Sequence, residues 1–267
     1  QTYIINFASH SESLQGCNEL VSADFPCYLR EKILEETGAE TLYCVGAIGG
    51  MISMDIPDEQ EIRKNGNDFS ESTKRIGRQL ADYALSIKEA DEILLESKIG
   101  SITQEVYLKA ENSILLIAAK AGILKAKEFR FPDKSGFAMK SEISYFEIGS
   151  LKILMLPCEI FPELVYGGYL SAEESATGKG GEANPLPLQE IIGDEVMIIG
   201  LANDELGYVL PPNDFKLNDD APYFENGHDR HGRRHYEETN SLGPETASKI
   251  AETVTKIIST VEKAKNI

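Results

Sequence analysis

The 267-residue sequence has no tryptophan, no long apolar run and no excess of basic residues. Its longest apolar runs are only a few residues long, far below the roughly 20 residues that a membrane-spanning helix requires. Its 26 basic and 44 acidic residues give a net charge of −18. Nucleic-acid binding and electrostatic docking on an anionic membrane both require a basic face, so the composition argues against these two classes of protein.

The sequence also lacks the local motifs of several large enzyme classes. It contains no Gly-x-Ser-x-Gly elbow, no His-Glu-x-x-His segment, no dinucleotide glycine fingerprint and no P-loop, and Gly178-Lys179 lacks the spacing of a Walker motif. The common hydrolase, zincin, dehydrogenase and kinase interpretations therefore lose their usual support.

The four cysteines do not have the spacing of a zinc finger or a Cys-x-x-Cys redox motif. Cys44 lies in an apolar run and is predicted to be a small buried hydrophobe. Cys17 and Cys27 stay open as a disulfide pair if the protein is secreted, although we expect reduced thiols.

Apolar periodicity predicts helices and strands that alternate along the chain. Predicted elements include a helix over 24–37 ending at Gly38, a hairpin over 140–156 hinged at Gly149, a mobile surface loop over 172–187, and a C-terminal helix after Pro244. We predict one α/β domain over residues 1–267, with a mixed β-sheet flanked by helices.

Three predicted strands are followed by a side chain that can bind a metal. His10 follows residues 2–8, Glu159 follows residues 153–156, and Tyr208 follows residues 196–199. An α/β protein commonly places its chemistry at the carboxyl ends of strands. Each residue alone also fits a simpler role: His10 bonded to backbone, Glu159 in an ion pair or cap, and Tyr208 in the core or its rim.

Six short segments occur in an order that indicates a family. They are Asn-Phe-Ala-Ser-His (6–10), Ser-Ala-Asp-Phe-Pro (22–26), Gly-Ala-Ile-Gly-Gly-Met (46–51), Leu-Pro-Cys-Glu (156–159), Gly-Leu-Ala-Asn-Asp (200–204) and Tyr-Glu-Glu (236–238). Together they resemble the catalytic domain of the neutral/alkaline, non-lysosomal ceramidase family, from the first residues to about Ala247.

The resemblance implies a zinc-dependent amidase that hydrolyses the amide of N-acylsphingosine. It implies that Zn²⁺ is held by His10 as the second of two family histidines, by Glu159 and by Tyr208. It also implies that Tyr236 lies near the substrate carbonyl, where it would stabilise the oxyanion. Zinc accepts mixed nitrogen and oxygen ligands and activates water for such a reaction.

Two departures from the family pattern change these expectations. The first family histidine would lie upstream of Gln1, so we expect an upstream segment of the same protein to complete the site. Ile52 stands where the family has a serine, and Ser53 falls one residue late, which would turn its side chain to the opposite face. Ser53 is retained as a candidate catalytic residue. We also expect no immunoglobulin-like domain after the C-terminal helix.

The segment 228–235 reads His-Asp-Arg-His-Gly-Arg-Arg-His and is a second candidate for metal binding. Its three arginines disfavour a dication, and its polar composition predicts a solvated loop. His235, next to Tyr236, is the member that we expect to face the site, and it is a second candidate catalytic residue.

The leading hypothesis is therefore a zinc-dependent amide hydrolase for a ceramide-like N-acyl lipid, with no nucleic-acid partner. One alternative is a catalytically impaired family member that acts as a ligand- or partner-binding module. Another keeps the metal chemistry and changes the amide or ester substrate. The sequence leaves the oligomeric state open, and also the choice between a cytoplasmic and a secreted location.

Overall fold

The computed structural model describes residues 1–51, 56, 59–66, 68–124, 129–193 and 195–265. The chain divides into two compact units, residues 1–95 and 96–267, which are described separately. No helix in the described part of the chain has both the length and the apolar character needed to cross a membrane.

The described residues of the first unit form a two-stranded parallel sheet and three α-helices. Its elements are β1 (Thr2–Phe7), α1 (Phe25–Thr37), β2 (Glu40–Val45), α2 (Glu59–Lys64) and α3 (Ser70–Leu85).

Helix α1 has the bounds that the sequence predicts. Asp24 caps its amino end by accepting a hydrogen bond from the Phe25 amide at 2.7 Å, and Gly38 ends it at a φ of +71°. Helix α3 packs closely on α1 at Gly77, which has no side chain. A Cβ at this position would lie only 2.2 Å from the Phe25 carbonyl oxygen. Phe25 and Ile76 are buried in the resulting core.

The second unit is built around a four-stranded sheet. Its elements are β3 (Ile99–Lys109), α4 (Ser113–Lys120), β4 (Ala138–Ile148), β5 (Leu151–Met155), β6 (Glu159–Ile160), α5 (Pro162–Tyr166), α6 (Leu188–Ile192), β7 (Val196–Ile199), β8 (Tyr208–Val209), β9 (Gly227–His228), β10 (Arg234–His235) and α7 (Thr246–Lys265).

The large sheet has the order β3-β4-β5-β7 and is mixed. Strands β3, β4 and β5 are antiparallel neighbours, whereas β7 runs parallel to β5. The β4–β5 hairpin turns at Gly149, which has a φ of +57°, as the sequence predicts. Helix α7 packs on β3 and buries Ile250, Val254 and Ile257. The predicted α/β class, with a mixed sheet flanked by helices, is confirmed. One domain over residues 1–267 stays a prediction.

Candidate functional site

Glu159 and Tyr208 lie side by side on a pair of two-residue strands. The sequence placed them at the ends of the strands that are now β5 and β7, but each belongs to a separate short strand, β6 or β8. These strands are parallel, with Glu159 directly opposite Tyr208, and the Glu159 amide donates to the Gly207 carbonyl at 3.1 Å. Neighbouring strands lie about 4.8 Å apart. A carboxylate and a phenol are therefore adjacent in this pair, which we call the strand-pair site.

The connection from β7 to β8 has an unusual backbone. Leu201 and Asn203 have positive φ values of 51° and 74°. The Leu206 amide donates to the Pro157 carbonyl at 2.9 Å, which ties the connection to the segment before β6. Non-glycine residues in this region cost about 1–3 kcal/mol each, and such strain concentrates at functional sites.

Gly207 is required where the connection enters β8. Its φ is +82°, and a Cβ at this position would lie 1.9 Å from the Asn240 carbonyl oxygen. Only a glycine permits this approach of the two backbones. The approach brings the segment after Tyr236 against β8. Close backbone packing therefore explains why a glycine precedes Tyr208.

The strand-pair site lines a cavity of about 980 Å³. This volume is at the upper end of the range typical for small-molecule sites. Glu159 and Tyr208 share the lining with apolar side chains that can accept a hydrocarbon chain, namely Leu115, Leu124, Met139, Leu206 and Leu242. The cavity therefore combines two candidate metal ligands with an apolar wall.

The polar part of the cavity is mainly acidic. Lys140 forms an ion pair with Glu105 at 2.8 Å, and the Ser141 hydroxyl donates to Asp204 Oδ2 at 2.6 Å. Burial, followed by the charge of Glu159 and the neighbouring Tyr236, raises the pKa of the Tyr208 phenol well above its ordinary value. Without an added cation, the Tyr208 phenol therefore stays protonated beside the Glu159 carboxylate.

Tyr236 packs directly against Tyr208. The two rings meet edge to face with their centroids 6.1 Å apart, and Phe161 contacts Tyr208 in the same way at 6.4 Å. The Tyr236 carbonyl accepts a 2.6 Å hydrogen bond from the Thr239 hydroxyl. The structure therefore brings together Glu159, Tyr208 and Tyr236.

The histidine-rich segment forms a hairpin, β9–β10, with Arg234 opposite His228. His228 and His231 are exposed, as a solvated loop predicts, but His235 is only 6% exposed. The described lining of the cavity does not include His235. Its Nδ1 lies 2.8 Å from Glu238 Oε1, and its Nε2 lies 3.4 Å from Asp229 Oδ2.

This hairpin carries a compact group of charged side chains, which we call the hairpin cluster: Asp214, Asp229, Arg233, His235 and Glu238. One ligand atom from each of Asp214, Asp229 and His235 lies within 4.8 Å of the others, a spacing that a metal ion could use. However, Arg233 Nε lies 2.7 Å from Asp229 Oδ2, and Arg233 Nη2 lies 2.9 Å from Asp214 Oδ1. A guanidinium already holds these carboxylates, which is the physical reason why an arginine disfavours a dication here.

The predicted mobile loop over 172–187 is held by the same hairpin. Arg230 donates to the Glu173 carbonyl at 2.7 Å, and Arg233 donates to the Glu174 carbonyl at 2.9 Å. Ser175 is fully buried and bonds the Lys179 carbonyl at 2.7 Å. These contacts give the segment a defined conformation, which its glycine- and serine-rich composition did not predict.

Two further predicted site residues are His10 and Ser53. His10 belongs to the first unit, three residues after β1, and is half-buried. Ser53 lies outside the described residues. Among the side chains that the structure describes, Cys27, Cys44 and Cys158 are free thiols. Cys44 is half-buried, whereas the sequence predicted a buried side chain.

Solved structures of ceramidases share this fold. A neutral ceramidase from Pseudomonas aeruginosa superposes with a TM-score of 0.63 and 16% identity, over 97% of this chain and 44% of that chain. A ceramidase complexed with C2 gives a TM-score of 0.61 and 15% identity, over 97% of this chain and 45% of that chain. No family model and no curated protein matches the sequence. The fold is ceramidase-like, and the chain spans less than half of either structure.

Proposed function

We propose that the chain is part of a zinc-dependent amide hydrolase that acts on N-acyl amides of the ceramide-like class. The observation that carries the proposal is the side-by-side placement of Glu159 and Tyr208 in the lining of a cavity with an apolar wall. The ceramidase-like fold and the ordered motifs of the sequence both support this function.

Zinc fits the chemistry of the strand-pair site. The Glu159 carboxylate and the Tyr208 phenol are adjacent oxygen donors, and a nearby cation would lower the pKa of a phenol that burial and Glu159 now raise. Bound zinc supplies Lewis-acid polarisation of a carbonyl and a more acidic water. His10 joins the proposed ligands through the family resemblance.

Residues outside this chain are proposed to complete the ligand set. The family resemblance implies a further histidine upstream of Gln1, and the chain spans less than half the length of the solved ceramidases that share its fold. The experiments below therefore use the full-length protein.

Tyr236 is proposed to act on the substrate carbonyl. Its ring contacts Tyr208, so a carbonyl next to the strand-pair site would lie close to the Tyr236 side chain. A phenol that donates a hydrogen bond to the developing oxyanion typically contributes a few kcal/mol to transition-state stabilisation. The apolar wall, including Leu115 and Met139, would bury the acyl chain and exclude water.

The test combines zinc content with hydrolysis of a panel of N-acyl amides of different chain length. We expect about one zinc per chain, cleavage of long-chain amides, and loss of both properties in Glu159→Gln. Loss of a ligand should exceed the roughly 10–100-fold effect that supporting residues of metal sites show. Glu142→Gln is the matched control, because Glu142 lines the same cavity and is not a proposed ligand.

The possible outcomes separate the alternatives. Zinc without hydrolysis of any amide would favour the catalytically impaired binding module. Cleavage of short amides or esters in preference to long-chain amides would keep the chemistry and change the substrate. Full activity in Glu159→Gln would contradict the proposal.

A further inference from the structure

The buried charges of the hairpin cluster determine the protonation of His235. Three carboxylates, Asp214, Asp229 and Glu238, surround the ring, and the side chains of Asp229 and Glu238 are 0% exposed. Arg233 supplies one positive charge. With a neutral imidazole the cluster would carry a net charge of −2 (three negative, one positive), and with an imidazolium it would carry −1.

The surroundings of the two ring nitrogens also favour the imidazolium, because Nδ1 hydrogen-bonds to Glu238 and Nε2 makes an ion-pair contact with Asp229. Nδ1 lies 2.8 Å from Glu238 Oε1 and Nε2 faces Asp229 Oδ2 at 3.4 Å. A neutral imidazole has only one N–H, so one of its two nitrogens would present a lone pair to a carboxylate. In the imidazolium both nitrogens are donors, and each faces an acceptor.

Both partners of His235 are themselves fixed in place. Glu238 Oε1 also accepts from the Lys216 amide at 2.9 Å. Asp229 Oδ1 accepts from the amides of His231 and Arg233 at 2.8 and 2.9 Å. The ring therefore bridges the hairpin and the short turn Glu237–Asn240 that follows it.

Tyr236 is the single residue between these two anchored segments. His235 ends β10, and Glu238 belongs to the turn that begins at Glu237. A bridge from His235 to Glu238 closes a loop around Tyr236 and limits the positions of its backbone. The Tyr236 ring, carried on this backbone, makes the edge-to-face contact with Tyr208.

We propose that His235 is a positioning residue: its imidazolium, held between Asp229 and Glu238, fixes Tyr236 against Tyr208. The catalytic consequence rests on the proposed function, whereas the positioning itself does not. His235 takes no part in proton transfer to the substrate, because both ring nitrogens are directed at buried carboxylates.

The electrostatics agree with this assignment. The hydrogen bond that His235 donates to Glu238 raises the pKa of His235. Burial opposes this shift, and the charge of Glu238, the contact with Asp229 and the charge of Asp214 reinforce it. Glu237 also faces the cluster, and its own pKa is raised by burial and by Glu238. Positioning should therefore be complete at low pH and weaken as the pH rises through the raised pKa of His235.

The first experiment reads the imidazoles directly. Single His→Gln variants at His10, His228, His231 and His235 assign the imidazole signals of these four residues in long-range ¹H–¹⁵N NMR spectra of the protein. We expect His235 to keep protons on both nitrogens at a pH above the ordinary imidazole pKa of about 6.5. A His235 ring that loses its second proton at or below that ordinary value would overturn the proposal.

The second experiment reads Tyr236. Its ring signals in ¹H–¹³C spectra, assigned with Tyr236→Phe, should move in His235→Gln and stay in place in His228→Gln. In the unmodified protein they should move in step with the titration of His235, so the test holds even if His235→Gln does not fold. Tyr236 ring signals that are unchanged in His235→Gln and that do not follow the titration of His235 would refute the positioning role.

Activity supplies a separate readout. If the full-length enzyme hydrolyses an amide, His235→Gln should lower kcat about 10-fold with little change in KM, as for other residues that orient a site. His228→Gln should match the unmodified enzyme. If no amide is hydrolysed, the proposed function fails while the NMR result still decides the role of His235. A kcat loss without a Tyr236 shift would contradict positioning.

Discussion

The hairpin cluster and the strand-pair site both gather acidic groups, but they differ in what balances the charge. In the hairpin cluster, burial raises the pKa of Asp229, yet hydrogen bonds from Arg233 outweigh burial and hold that pKa well below its ordinary range. At the strand-pair site, burial and Glu159 act in the same direction and raise the pKa of Tyr208. The hairpin cluster contains its own cation, the Arg233 guanidinium. An added cation would stabilise the strand-pair site more than the hairpin cluster.

This difference separates the two candidate metal centres. The distances between ligand atoms alone would favour the hairpin cluster, whereas the charges favour the strand-pair site. The three ligand atoms of the hairpin cluster lie within 4.8 Å, which looks favourable for a dication. A dication there would have to displace Arg233 and compete with the proton of His235, whereas at the strand-pair site it would relieve an unfavourable field. Charge balance therefore supports Glu159 and Tyr208 as the proposed zinc ligands and favours a structural role for the hairpin cluster.

Removal of the internal cation should have the largest effect. Arg233→Met leaves the carboxylates of Asp229 and Asp214 without their guanidinium, and we expect a loss of about 2–3 kcal/mol in the free energy of unfolding. This is below the value for a fully buried pair because the Arg233 side chain is 42% exposed. Urea unfolding at neutral pH measures the change. Arg230→Met is the control, because Arg230 donates to the backbone carbonyls of Ala172 and Glu173.

Arg233→Met also tests whether the guanidinium is what excludes a dication from the hairpin cluster. In a Glu159→Gln background, which removes the proposed zinc site, Arg233→Met should make the melting temperature depend on added Zn²⁺. The ligand atoms of Asp214, Asp229 and His235 would then have lost their resident guanidinium. Equal zinc dependence with Arg233 present would mean that the hairpin cluster already accepts a dication, and our assignment would be wrong.

A smaller effect should appear in the pH dependence of stability. The pKa of His235 is raised in the folded state, so its stabilising contribution is fully present below the unfolded value of about 6.5 and is lost as the pH rises through the folded value. The unfolding free energy of the unmodified protein, relative to His235→Gln, should therefore fall over that window. His231→Gln, in the same hairpin but exposed, should not change the profile, and an identical profile for His235→Gln would contradict a charged ring.

Local sequence signals predicted the elements whose causes are local. Asp24 and Gly38 mark the ends of α1, and Gly149 marks the β4–β5 turn, because capping and left-handed glycine conformations depend on a few neighbouring residues. The same holds for the apolar stripe of α7. These features need no knowledge of distant parts of the chain.

The site depended on distant pairing and was only partly predictable. Position after a predicted strand selected Glu159 and Tyr208, and motif resemblance added Tyr236. However, two-residue strands are too short for periodicity to show that residues 159 and 208 pair. The hairpin cluster was missed for the same reason, since the charge balance around His235 exists only once Asp214 and Glu238 have been brought to the hairpin. The arginine spacing in 228–235 was the one available signal.

The smallest effect on stability is expected for Tyr208→Phe. This substitution tests whether Tyr208 at the strand-pair site binds a metal or only packs. The substitution removes a neutral hydroxyl that shares a hydrogen bond with Tyr236, so the metal-free protein should lose at most about 1 kcal/mol. Zinc affinity of the full-length protein should fall at least about 10-fold, because a proposed oxygen ligand is lost. Unfolding with and without zinc separates the two effects. A large loss in the metal-free protein, or an unchanged zinc affinity, would show that Tyr208 packs the β6–β8 pair and binds no metal.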